Sequence, residues 1–162
     1  MESLKLESKK PVREFEPHPE GAFLAICRDI HITRKPNPRA GGTNKYGGIE
    51  PEEIVRLIVE FLTEEEIDIN GQMLPRFASI GFAPSWHADS RLRRFVSGWD
   101  PGMGKLDSID LEALVGRGAY LVIQHHTSED GRLYANIVSA AAPPRGAVLP
   151  QIPAGYVRKV SQ

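Results

Sequence analysis

At 162 residues and 17.9 kDa the chain has room for one domain with an ordinary hydrophobic core. Its 41% hydrophobic and 25% charged residues, mean hydropathy of −0.30 and single cysteine exclude a membrane span, a mainly disordered chain, a disulfide scaffold and a structural zinc site. The net charge is only −1, yet cations and acids are segregated along the chain, which permits one basic face on a near-neutral molecule.

Residues 1–20 are polar and proline-punctuated and read as an N-terminal arm. They lack the apolar stretch of a secretory signal, so a cytoplasmic protein is expected. Gly21 to Thr33 alternates and predicts a long first strand, with Leu24, Ile26, Ile30 and Ile32 on one face, Asp29 and His31 on the other, and an interruption at Arg28. Lys35 to Gly48 holds four glycines and two prolines and predicts a long flexible loop without regular structure. Glu53 to Leu62 alternates with β-branched residues and predicts a second strand, although Pro51 also suits a helix start. Asn70-Gly71 marks a turn into a third strand, Arg76 to Ala83.

The period then changes. Asp89 or Ser90 can cap a helix from Arg91 to Trp99, whose Leu92, Phe95, Val96 and Trp99 recur at helical spacing. Asp107 to Val115 suggests a further helical turn stopped by Gly116. Ala119 to His126 and Arg132 to Ala140 predict strands four and five, joined by the turn Ser128-Glu-Asp-Gly131. Beyond Ala140, prolines 143, 144, 150 and 153 predict an extended tail. The chain therefore divides into an arm (1–20), a domain (21–142) and a proline-containing C-terminal tail (143–162). Three strands, a helix and two strands match a mainly β, five-stranded OB-fold-like barrel with its helix between strands three and four. An SH3-like barrel and a small sandwich share the strand count.

Catalytic signatures are lacking. None of His18, His31, His87, His125 and His126 stands at ligand or triad spacing, and His125-His126 reads as a polar strand end. Cys27, inside an apolar strand, reads as a packed thiol. The paired glycines of the loop lack the Lys-Ser/Thr ending of a phosphate loop. A non-enzyme without metal or cofactor is expected.

Binding of a single nucleic-acid strand needs cations along the phosphates and aromatic faces under the bases. The loop offers Lys35, Arg39, Lys45 and Tyr46, the third strand Arg76 and Phe77, and the fifth Arg132 and Tyr134. An OB-fold places the loops after strands one and four beside the oligonucleotide-binding face of strands two and three. Phe77, Phe82 and Tyr120 suit a core better than a stacking platform, and Trp86 and Trp99 suit packing of the helix onto the barrel. The eight acids between Glu50 and Asp68, set against Arg56 alone, oppose a uniformly basic groove.

Four short motifs carry a resemblance: Glu20-Gly-Ala-Phe-Leu-Ala-Ile-Cys-Arg-Asp-Ile30, Ser90-Arg-Leu-Arg-Arg-Phe-Val-Ser-Gly-Trp99, Leu111-Glu-Ala-Leu-Val-Gly116, and Tyr134-Ala-Asn-Ile137 with Pro143-Pro-Arg-Gly146. In this order, over residues 15 to 146, the chain resembles phage and prophage OB-fold proteins related to single-stranded-DNA-binding proteins. The resemblance implies a role in phage DNA replication or recombination, with single-stranded DNA and replication or recombination proteins as partners. It leaves a homo-oligomer open and carries over no catalytic residue. The longer glycine-rich insert after strand one and Asp100-Pro101, where that family tends to have Arg-Gly, depart from the pattern. The alternative expectation is an OB-like protein-interaction module of a phage complex that does not bind DNA.

Overall fold

Alternating apolar residues build five long strands, seen in a computed structural model that describes residues 16–161. The strands are β1 (Gly21–Pro36), β2 (Glu53–Ile69), β3 (Gln72–Phe82), β4 (Gly118–Thr127) and β5 (Leu133–Ala141). Glu53 to Leu62 is strand, as its β-branched alternation predicts. Between β3 and β4 lie helix α1 (Arg91–Trp99), the short helix α2 (Pro101–Gly104) and a 3-10 turn (Leu111–Leu114). Most of the expected arm, residues 1–15, lies outside the described residues. No helix among the described residues is long and apolar enough to cross a membrane.

All pairings are antiparallel, and the strand order is β3-β2-β1-β4-β5. The expected barrel is not closed: β3 and β5 are the two edges of one open sheet, with no ladder between them. Strand lengths and spacing are the same in a closed and an open sheet, so the sequence pattern does not register the difference. At the Asn70-Gly71 turn both residues have positive φ, 54° and 82°, the combination that a two-residue hairpin turn demands.

The first strand changes phase within its length. Cys27 pairs with Phe61 and Asp29 with Glu60, leaving Arg28 as the extra residue of a β-bulge. Before the bulge Ala25 and Cys27 face the core; after it Ile30 and Ile32 do. Leu24 and Ile26 therefore lie outside the core, contrary to the expectation that they share the face of Ile30 and Ile32. Burial pushes the Cys27 thiol up to about 12, which keeps it protonated and inert.

Helix α1 closes the core from one side. Its Phe95 and Trp99 meet Phe61 and Phe82 with ring centroids 5.2–6.3 Å apart, and Trp99 Nε1 donates to the Gly118 carbonyl at 2.8 Å. Gly98 allows the helix to approach β5, since a Cβ there would lie 3.1 Å from the Ala140 carbonyl oxygen.

The β1–β2 connection is more ordered than its glycines and prolines suggest. Asn37 is buried and holds the Arg39 N–H at 3.0 Å and the Pro51 carbonyl at 2.8 Å. Asn44 Oδ1 accepts from Tyr46 N and Gly48 N at 2.9 Å, and Gly41–Glu50 and Glu50–Gly42 backbone bonds fold the loop back on itself. Asparagine side chains supply the bonds that a ladder would otherwise provide.

Candidate nucleic-acid interface

Ser90 caps α1, its Oγ accepting from the Arg93 N–H at 3.1 Å. The cap fixes the helix so that Leu92, Phe95, Val96 and Trp99 are buried. Arg91 and Arg94, three residues apart, then share a helix face along the seam between β3 and β5. A third cation arrives from β2. Arg56 crosses the edge strand β3 at Gly81, where an added Cβ would lie only 3.1 Å from its Nη2.

These elements bound a groove of about 740 Å³, lined by the three arginines, the edge of β3, and Asn136 to Ala140 of β5. No carboxylate among the described residues lines it. The Arg91 guanidinium stands 5.7 Å from the Phe82 ring centre. The Arg56 and Arg94 side chains have no ion pair or hydrogen bond among the described residues. Guanidinium groups gathered on one groove without counter-charge form a receptor for anions, with fork geometry suited to phosphate.

None of the eight residues singled out from the sequence lines this groove. Lys35, Arg39, Lys45 and Tyr46 cluster at the Pro36 end of β1, where Lys45 Nζ lies 5.0 Å from the Tyr46 ring and Tyr46 is 84% exposed. Arg132 and Tyr134 lie beyond the other end of β1, on the β4–β5 hairpin, where Arg132 pairs with Asp130 at 3.5 Å. Phe77 is exposed on the outer face of β3, and Arg76 donates to the Glu16 carbonyl. His125 bonds the His18 carbonyl at 2.7 Å, and His18 in turn bonds Thr63 at 2.6 Å, so this pair anchors the chain ahead of β1. Burial holds the His18 imidazole below its ordinary value, favouring the neutral ring.

The three groove arginines are inconspicuous in the sequence for distinct reasons. Arg56 stands alone among acids, and its reach across Gly81 is a tertiary fact. The Arg91–Arg94 spacing was visible, opposite the buried face of α1, and is the signal that could have found them. At the corner after α1, Asp100 caps α2 through the Met103 N–H and pairs with Arg117.

A second cluster lies on the outer face of β1 and β2. Asp29 is fully buried and accepts from the Tyr156 hydroxyl at 2.6 Å, Arg158 Nε at 2.7 Å and the Lys159 N–H at 2.8 Å. Arg158 also forks onto Glu112 at 2.9 and 3.0 Å. Glu60 accepts from Arg28 at 3.0 Å and from Lys159 Nζ. The Arg28 guanidinium lies between the Tyr156 and Phe77 rings, 4.7 and 5.2 Å from their centres. Burial raises the Asp29 carboxyl, but its three donors together leave it below its ordinary value. Burial and then the Asp29 carboxylate push the Tyr156 phenol up to about 12. The end of the extended tail is thus pinned to the sheet. Comparison with protein-family models and with curated protein sequences gave no match.

Proposed function

We propose that the protein is a non-catalytic single-stranded-DNA-binding protein on an OB-like scaffold, acting in phage DNA replication or recombination. The observation that carries this reading is the groove at the open seam, where Arg56, Arg91 and Arg94 converge with no carboxylate among the described residues. Guanidinium forks hold successive phosphates there, and the counterions released supply much of the binding free energy. Lys35, Arg39 and Lys45 add electrostatic capture from the β1–β2 loop, with Tyr46 as an exposed stacking face.

Anisotropy titrations of labelled oligo-dT across a salt series test this. Binding should weaken steeply with salt, and the Arg56→Ala/Arg91→Ala/Arg94→Ala variant should flatten the log–log slope by about 2, at about 0.7 per phosphate contact. No binding of the parent protein at low salt refutes DNA binding. An unchanged slope in the triple variant removes the groove from it. A protein-interaction module is the second reading, favoured by the acidic cluster of Asp29, Glu60 and Glu112 that already holds a peptide segment.

A further inference from the structure

The groove at the β3–β5 seam offers charge without a stacking face. Two rings among the described residues line it, Phe82 and Phe95, and they are 1% and 9% exposed. Both belong to the core cluster, with ring centres 5.2 Å apart, and the Arg91 guanidinium stands 5.7 Å from the centre of the Phe82 ring. A base stacks on an open ring face, and neither ring presents one. Apart from the three arginines, the exposed side chains of the lining are Ser79, Asn136, Val138 and Ser139, none of them aromatic. The exposed rings of Tyr46, Phe77 and Tyr134 all lie outside the lining.

What remains suits phosphate. Guanidinium forks match phosphate oxygens in pairs, and the Ser79 and Ser139 hydroxyls and the Asn136 amide are neutral donors of the kind that phosphates accept from. No ladder among the described residues joins the facing edges of β3 and β5, so edge N–H groups add further donors. The lining from Asn136 to Ala140 runs about 13 Å along β5, at about 3.3 Å per residue, a length that takes more than one phosphate. We propose that the groove is a receptor for phosphate chains that contacts no base. It holds the sugar–phosphate backbone of a nucleic acid with the bases turned outward, and it holds inorganic polyphosphate, which has no bases, in the same way. This ligand class rests on the groove being the DNA site proposed above, and it leaves contact with the bases to rings elsewhere, Tyr46 first among them.

Three labelled ligands with matched numbers of phosphates test this by anisotropy: oligo-dT, an abasic strand of tetrahydrofuran phosphodiesters, and inorganic polyphosphate. The parent protein should bind all three at low salt. Arg56→Ala/Arg91→Ala/Arg94→Ala should flatten the log–log salt slope by about 2 on oligo-dT and on the abasic strand alike, at about 0.7 per phosphate contact, and should abolish binding of polyphosphate. Tyr46→Ala should weaken binding of oligo-dT and leave the abasic strand unchanged. If the triple variant loses the parent's urea transition, Arg91→Ala/Arg94→Ala replaces it, with a flattening of about 1.4 on both strands. Polyphosphate that the parent does not bind, or that the arginine variant binds as well as the parent, overturns the proposal. So does a slope that flattens on oligo-dT and not on the abasic strand. In each of these cases bound oligo-dT leaves the DNA-binding reading standing. Polyphosphate bound through the arginines, with oligo-dT unbound, upholds the phosphate receptor and refutes DNA binding. A parent that binds none of the three refutes both.

Discussion

Asp29 shows how a single side chain can be legible in place and illegible in role. The alternation of β1 puts it on the polar face, and it is there. Its donors, however, come from residues 127 to 130 positions later, a separation that no local pattern encodes. Its carboxyl is held below the ordinary value, so the stabilisation it gives is complete above the unfolded-state value of about 3.9 and is lost as pH falls through the lower folded value. The Lys159 amide should therefore keep its exchange protection at pH 5 and lose it under more acid conditions. Asp29→Asn should show weakened protection already at neutral pH. Equal protection in both proteins at pH 7 would contradict the assignment.

Among the elements, β1 carries the most information beyond its residue pattern. The sequence shows an interruption at Arg28 but not its consequence. A bulge has the same composition as a bend, and only the partner strand reveals that two residues face one. Deleting Arg28 would make Cys27 and Asp29 neighbours opposite Phe61 and Glu60, a regular ladder that keeps Ala25, Cys27, Ile30 and Ile32 on the core face, so the shortened chain should still give a cooperative urea transition. Arg28→Ala retains the bulge and loses the contacts with Phe77, Tyr156 and Glu60. It should fold with a loss of about 1–3 kcal/mol, since two cation–π contacts are worth about 0.5–1 kcal/mol each and Glu60 is left with Lys159 alone. A deletion variant without a cooperative transition would show that the extra residue itself, and not only the phase of its flanks, is required. Helix α1 was legible almost to the residue, because its cap and its four buried positions are local signals. The β1–β2 loop was legible as a loop only, since the order imposed by Asn37 and Asn44 depends on bonds across the loop.

At the scale of the whole molecule, a net charge of −1 conceals a partition. The acids of the sheet's outer face are matched by Arg28, Arg158 and Lys159, while the groove cations stay uncompensated. The basic loop and the β4–β5 hairpin lie at opposite ends of β1, so the candidate residues do not form one patch. The loop is therefore expected to add to the groove's binding and not to replace it. Replacing Lys35, Arg39 and Lys45 with alanine should flatten the oligo-dT salt slope by up to about 2, and Tyr46→Ala should weaken binding by about 1–3 kcal/mol with little change of slope. Both proteins should melt like the parent, and an unchanged titration in each would assign the loop no part in binding.

The unclosed sheet bears on how a long polymer could be loaded. A ring of strands around a ligand admits a chain only by threading a free end, or after rupture of a ladder. Here no ladder bond crosses from β3 to β5, and the two edges are spanned by the side chains of α1. Lateral access to the groove therefore requires no broken backbone pairing. Such a seam suits capture of the interior of a continuous strand, far from either terminus, and makes release a matter of local charge and not of unravelling the fold.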